Sequence, residues 1–202
     1  MKNSLLIVCA LALMSVSCSG KRPSTIGETE FQKKMNAEFK DASTSPLKEK
    51  DLKTFESLDF FPVDEKYKVN AKFETTPDSP VFHMPMTKAR IVKYKRFGIA
   101  TFTLHGKEFS LEVYRNQDLM HMEKYKNQLF IPFTDETNGF STYGGGRYIN
   151  VDIPENNLLE IDFNHAYNPY CAYNEKYSCP IPPRVNFLQT EVKAGVKVFE
   201  KH

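Results

Sequence analysis

The residues best suited to chemistry lie between positions 143 and 197 of the 202-residue chain. Tyr143 and Arg147 flank three consecutive glycines, Gly144, Gly145 and Gly146. Such a run can expose backbone N–H groups as an anion-binding nest, and an adjacent arginine can hold a carboxylate or phosphate through two hydrogen bonds. The alternative is structural: glycine allows a tight bend with positive φ, and Arg147 pairs with Asp162 or Asp135.

Residues 162–183 form a second concentrated segment, rich in proline, tyrosine and asparagine. Proline and asparagine disfavour regular helix and strand, whereas so many aromatic residues are unusual for a disordered linker. We therefore expect an ordered irregular loop. Its backbone polar groups need side-chain partners, and the suitable ones are Asp162, Asn164, Asn168 and Asn186.

These two segments together predict one pocket. Its expected wall consists of Tyr143, Gly144, Gly145, Gly146, Arg147, Asp162, Asn164, Tyr167 and Asn168, with Asp135 near the rim. A buried structural plug would account for the same composition without any ligand. The two interpretations differ in the role of Arg147, which holds a ligand in one and stabilises the loop in the other.

Cys171 and Cys179 are separated by seven residues, which fits neither a C-x2-C zinc site nor a C-x-x-C redox motif. In an oxidising compartment we expect the two to form a disulfide, which would contribute about 2 to 3 kcal/mol through chain entropy. A pair of buried free thiols is the second alternative. A mononuclear metal site with Asp162 or His165 is the third.

The sequence contains no G-x-S-x-G, H-E-x-x-H, P-loop or dinucleotide-binding motif. We therefore expect no cofactor and no bound metal. The histidines are scattered without metal-ligand spacing, and we expect them on the surface or in turns: His83, His105, His121, His165 and His202.

The N-terminus has the layout of a secretory signal peptide over residues 1–17. Lys2 precedes an apolar run over residues 5–14, which is too short to span a bilayer, and Ser17 is followed directly by Cys18. This order predicts a bacterial lipoprotein whose mature N-terminus is an acylated Cys18, with residues 18–29 as a polar tether. A plain signal peptide without lipidation is the alternative. The expected location is the cell envelope, facing the periplasm or the surface.

The remaining chain suits a single domain over residues 30–202. The charge of the whole chain is nearly balanced, with 27 basic and 25 acidic residues and a net charge of +2. No basic run indicates nucleic acid binding, and no second apolar segment indicates a membrane span.

Two helices are predicted over residues 30–59. Phe31, Met35 and Phe39 recur at four-residue spacing in the first. The second begins with Ser45 as N-cap and Pro46 at the first helical position.

From residue 63 the hydrophobic period changes to two, which indicates strands. About eight short strands are predicted at residues 67–74, 89–95, 98–104, 108–114, 128–133, 147–151, 158–163 and 187–192. A tight turn at His105 and Gly106 joins the third to the fourth. The expected fold is mainly β (α+β): an antiparallel barrel or sandwich with two N-terminal helices.

Several motifs resemble the bacterial family called domain of unknown function 1684. They include the segments 131–137, 142–148, 162–164, 166–169, 171–173 and 179–183, and the resemblance extends back to residue 45. The family has no established activity, so the resemblance implies no catalytic residues. One departure is that Val196 stands where the family usually has an acidic residue.

Three functions from different classes are consistent with these observations. The first, which we favour, is a binding module for a small polar or anionic ligand in the cell envelope. The second is an envelope hydrolase that uses Asp135, Asp162 or Tyr143 as acid or base. The third is a purely structural or interaction lipoprotein.

Overall fold

The structure is a computed structural model that describes residues 27–199. The predicted signal peptide and Cys18 lie outside this range. The described chain has two helices and eight strands: α1 Glu30–Lys40, α2 Glu49–Thr54, β1 Lys68–Thr75, β2 Val81–His83, β3 Lys93–Leu104, β4 Lys107–Asn116, β5 Gln128–Asp135, β6 Arg147–Asp152, β7 Leu158–Asp162 and β8 Phe187–Leu188. The predicted mainly β class is confirmed.

All eight strands belong to one sheet with the central order β6-β5-β4-β3-β1-β7, in which every neighbouring pair is antiparallel. β2 pairs with β3, and β8 runs parallel to β5. Ile149 in β6 and Leu159 in β7, at opposite ends of this order, share one buried cluster. The sheet therefore curls round its main core as a half-barrel.

A β-bulge in β3 lets one strand serve both faces of the sheet. The register with β4 shifts between Arg96 and Gly98. Beyond the bulge, Phe102 lies in the main core, whereas Tyr94 before it lies in a separate cluster. Side chains of a strand alternate between its two faces, and the extra residue of the bulge shifts this alternation by one. Even-numbered residues of β3 therefore face one side of the sheet before the bulge and the other side after it.

The turn between β3 and β4 is the predicted one. His105 and Gly106 both have positive φ, 51° and 76°, as a two-residue hairpin turn requires. α1 also begins where predicted, and it is stabilised by a capping box between Thr29 and Gln32.

The prediction of a long second helix from Ser45 to residue 59 is wrong. The helix α2 is only six residues long and begins after Lys48, which makes no side-chain cap. The apolar residues assigned to it are nevertheless buried: Leu47, Phe55 and Leu58 pack with Phe39 of α1. These side chains can be buried without forming a helix, so their spacing in the sequence does not by itself establish a helix.

The predicted strands also differ from the structure in three respects. The two strands predicted over residues 89–95 and 98–104 are one strand, β3, which begins only at Lys93. β2 was not predicted, and the last strand ends at Leu188 rather than at residue 192. No helix within residues 27–199 is long and apolar enough to cross a membrane.

Candidate functional site

Arg147 lies at the start of β6 and points into the main core. Its side chain and that of Asp135 are both fully buried, and their Nη2 and Oδ2 atoms are 2.9 Å apart. Nη2 also donates to the carbonyl of Val192 at 2.8 Å, and Nη1 donates to the carbonyl of Ala194. The guanidinium lies 5.3 Å from the centre of the Phe133 ring. Arg147 therefore ties the C-terminal segment to the sheet.

Both oxygens of the Asp135 carboxylate also accept hydrogen bonds from the protein. Its Oδ1 accepts hydrogen bonds from the backbone N–H and hydroxyl of Thr137, at 2.9 and 2.6 Å, and from the backbone N–H of Val192 at 3.1 Å. Burial lowers the pKa of Arg147, and the neighbouring carboxylate opposes this by favouring the charged form. The structural pairing considered from the sequence is thus formed with Asp135 and not with Asp162.

The glycine run makes a bend that the backbone requires. Gly146 has φ of 86°, and a Cβ there would lie 2.6 Å from the carbonyl oxygen of Phe133. Its N–H donates to the carbonyl of Tyr143 at 3.1 Å, which closes the turn. Only glycine fits this close approach, and the bend places Arg147 at the start of its strand.

The polar residues of and beside the irregular segment act as scaffolding for its backbone, as the sequence predicts. Asp162 Oδ1 caps the turn that follows it by accepting from the N–H of Asn164 at 2.9 Å. Asn164 exchanges two hydrogen bonds with the backbone of Asp64, and Asn168 donates to the carbonyl of Lys197 at 2.8 Å. Asn186 bonds the backbones of β4 and β5. None of these contacts involves Arg147.

The predicted disulfide is absent: Cys171 and Cys179 are free thiols, as in the second alternative above, although only Cys179 is buried. The two residues are nevertheless in contact, because the backbone N–H of Cys171 donates to Cys179 Sγ at 3.2 Å. The Tyr143 hydroxyl lies 3.8 Å from Cys171 Sγ. Within residues 27–199 no group of three or more His, Cys, Asp or Glu side chains is placed to hold a metal ion.

A cleft of about 590 Å³ lies on the face of the sheet opposite the main core. Its walls are α1, the ends of β3 to β6, the connections over residues 86–92 and 119–125, and the irregular loop from Tyr167 to Pro180. Of the residues predicted to wall a pocket, only Tyr167 lines this one. The others lie in the core, in turns or at loop contacts.

The floor of the cleft is a set of packed aromatic rings. Phe130 packs edge-on against Tyr148 with ring centres 4.8 Å apart, and Tyr148 packs edge-on against Tyr167 at 5.8 Å. Burial raises the pKa of both tyrosines, so they stay neutral at physiological pH. Asn150 adds a polar group beside them and donates to the Tyr167 hydroxyl at 2.8 Å.

The rim of the cleft is mainly cationic. Lys34 of α1, Arg90 and Lys124 line it, against the single carboxylate of Glu38. That carboxylate accepts a hydrogen bond from the Tyr170 hydroxyl at 2.6 Å. None of the three cations is paired with a carboxylate elsewhere in the described chain. The rim therefore carries net positive charge above an aromatic floor.

Sequence reasoning missed most of this cleft, although the strand period held part of the signal. In β6, Arg147 and Ile149 point into the core, so Tyr148 and Asn150 must point to the opposite face. The same alternation in β5 places Ile131 in the core and Phe130 in the cleft. The residue that lines the cleft is therefore Tyr148, the neighbour of Arg147.

The fold and the cleft define a mainly β half-barrel domain with an aromatic cleft on the face of the sheet away from its core. The sequence profile of the family described as protein of unknown function (DUF1684) matches residues 53–197, so the chain belongs to that family. No curated protein matches it.

One similar solved structure is the solution NMR structure of an uncharacterized protein from Haloarcula marismortui. It is 30% identical in sequence, with a TM-score of 0.67, and the match covers 85% of this chain and 92% of that chain. In the present structure Val196 is buried among the apolar residues around Phe39. It is therefore a core residue here.

Proposed function

We propose that this protein is a binding module whose ligand has an apolar or aromatic body and an anionic head. The observation that carries the proposal is the cleft, whose volume is within the range of small-molecule sites, about 300 to 1,000 Å³. Aromatic faces suit a flat or apolar body, and the Tyr167 hydroxyl and Asn150 are polar groups that can orient it through hydrogen bonds.

The rim supports the anionic head. Lys34, Arg90 and Lys124 come from three separate segments and surround one opening. Their charges raise the local concentration of anions and stabilise one bound at the mouth of the cleft. The sequence analysis favoured a small polar or anionic ligand at Arg147; this proposal moves the site to the cleft and adds an apolar body to the ligand.

Binding is better supported than hydrolysis. The Asp135 carboxylate is already hydrogen-bonded to Arg147, Thr137 and Val192, and the Asp162 carboxylate caps a turn. Neither carboxylate lines the cleft. A general acid or base must reach the substrate, so these residues are poorly placed for that role.

The test is to fill the cleft. Asn150 is exposed on its floor, and Asn150→Trp places a large ring there. The probe is 8-anilinonaphthalene-1-sulfonate, an aromatic anion, followed by fluorescence. We expect saturable binding to the wild-type chain and at least about a tenfold weaker affinity for the variant, because the ring occupies the site.

Thr103→Trp is the matched control, since Thr103 is an exposed strand residue that does not line the cleft. It should bind the probe as the wild type does. Equal binding by all three proteins would assign the probe to another surface. No saturable binding by the wild type would favour the structural or interaction function.

We also infer that the chain is exported and held at the membrane of the cell envelope by lipid on Cys18. The support is the sequence: an apolar run, small residues and then the cysteine. Cys18→Ser should abolish labelling by a fatty-acid analogue and release the protein from the membrane fraction. Unchanged labelling and unchanged sedimentation would contradict the anchor.

A further inference from the structure

Two thiols meet at the edge of the cleft. Cys179 lies in the cleft wall and is 6% exposed, whereas Cys171 is partly exposed. The backbone N–H of Cys171 donates to Cys179 Sγ at 3.2 Å, so the two residues are in direct contact, as a disulfide between them requires.

Each cysteine is held in place without a covalent bond between them. Cys171 lies in the short turn Tyr170–Ala172. Cys179 is anchored to the neighbouring strand-like segment: its N–H donates to Thr87 Oγ1 at 3.0 Å, and its carbonyl accepts from the Thr87 N–H at 2.9 Å. Because the loop ends are fixed by other contacts, the bond can form and break while the protein stays folded.

The surroundings of the two sulfurs are different. The neighbouring Cys179 side chain and, further, the Tyr143 hydroxyl at 3.8 Å lower the pKa of Cys171 to about 6. The Cys171 side chain, in its thiolate form, and burial both raise the pKa of Cys179. The other titratable groups facing the pair are neutral tyrosines: the pKa of Tyr143 is raised to about 12 by burial, and that of Tyr148 is raised for the same reason.

We propose that Cys171 and Cys179 are a redox-active dithiol that exchanges with external disulfides, with Cys171 as the attacking thiol and Cys179 as the resolving thiol. The Cys171 thiolate attacks one sulfur of an external disulfide and forms a mixed disulfide, and the first external thiolate leaves. Cys179 then loses its proton and attacks Cys171 Sγ, which releases the second external thiolate. The two protein thiols are oxidised to one disulfide, and the external disulfide is reduced to two thiols.

The site requires no ligand in the cleft, so this proposal stands apart from the binding function. It also differs from a structural disulfide. A structural bond resists reduction in the folded state, whereas an exchanging one opens readily, because its sulfurs are accessible and the attacking thiol has a low pKa.

The experiment uses the full chain with Cys9→Ser and Cys18→Ser, which leaves Cys171 and Cys179 as its only thiols. The reduced protein is treated with oxidised glutathione, quenched with acid and analysed by intact mass and peptide mapping. We expect loss of two hydrogens, a Cys171–Cys179 disulfide and no lasting glutathione adduct. Reduced glutathione should reopen the bond while the far-UV circular dichroism spectrum stays unchanged.

Single variants in this background identify the roles. Cys179→Ser should accumulate one glutathione on Cys171, because no resolving thiol remains. Cys171→Ser should acquire its adduct on Cys179 at least about tenfold more slowly at neutral pH, since Cys179 is only 6% exposed and burial disfavours its thiolate. Equal rates in the two variants, no disulfide in the parent, or a disulfide that opens only after unfolding in urea would each overturn the proposal.

Discussion

The two faces of strands β5 and β6 carry contrasting chemistry. On the core face, Arg147 and Asp135 are a fully buried ion pair whose hydrogen bonds all go to the protein. On the other face, Phe130, Tyr148 and Asn150 form the floor of an open cleft. The charged residues serve the fold, and the largely uncharged ones form the candidate site. Residue type alone therefore did not locate the site.

The difference follows from what a buried charge requires. An ion removed from water costs several kcal/mol unless partners surround it, so a buried arginine is enclosed by acceptors. Enclosure leaves it unable to meet a ligand. An aromatic floor has no such requirement, and it can remain accessible under a rim of solvated cations.

The largest expected effect is on the core face. Arg147→Met should lower the free energy of unfolding by about 3 to 5 kcal/mol, because it leaves the Asp135 carboxylate buried without its partner. Adding Asp135→Asn should recover at least about 1 kcal/mol, since the unpaired charge is removed. Urea denaturation measures both.

Asp162→Ala is the control for this pair, because Asp162 caps a turn and does not contact Arg147. It should cost only about 1 kcal/mol. If Arg147→Met lowers the free energy of unfolding no more than Asp162→Ala does, the buried ion pair does not stabilise the core face, and the contrast between the two faces is wrong.

The glycine bend should give the next largest effect. Gly146→Ala should cost about 2 to 3 kcal/mol, since it combines an unfavourable positive φ with a Cβ that would lie 2.6 Å from a backbone oxygen. Gly139→Ala is the matched control: Gly139 has φ of 84° but nothing within 4 Å of its Cβ position. It should cost only about 1 to 2 kcal/mol, and thermal unfolding of both variants separates packing from backbone strain.

The smallest effect is expected at the rim. Lys34→Ala should weaken binding of the sulfonate probe by about two- to fivefold and change stability by less than about 0.5 kcal/mol, as expected for an exposed charge. Lys33→Ala removes the neighbouring charge of α1, which does not line the cleft and pairs with Glu30 instead. Equal loss of affinity in the two variants would show that net charge, rather than the rim, attracts the probe.

Local features of the fold were predictable because short-range chemistry determines them. The hairpin turn at His105 and Gly106, the start of α1 and the alternation in β1, β4 and β6 all follow from neighbouring residues. The scaffolding roles of Asn164, Asn168 and Asn186 were also predicted, since an irregular loop needs backbone partners.

Other features depended on contacts between distant segments. The short α2, the bulge in β3 and the paired but unbonded cysteines were not readable from spacing. The choice of Asp135 over Asp162 as the partner of Arg147 depended on which strand end faces the C-terminal segment.

The sequence by itself determined which residues share a strand face, but only the tertiary structure decided which face became the core and which became the cleft. The alternation of side chains along β6 places Tyr148 and Asn150 on one face of the strand and Arg147 on the other. It does not say that α1, more than a hundred residues earlier in the chain, packs opposite them. The cleft exists because segments far apart in sequence leave a space between them, and that geometry is a property of the packed chain.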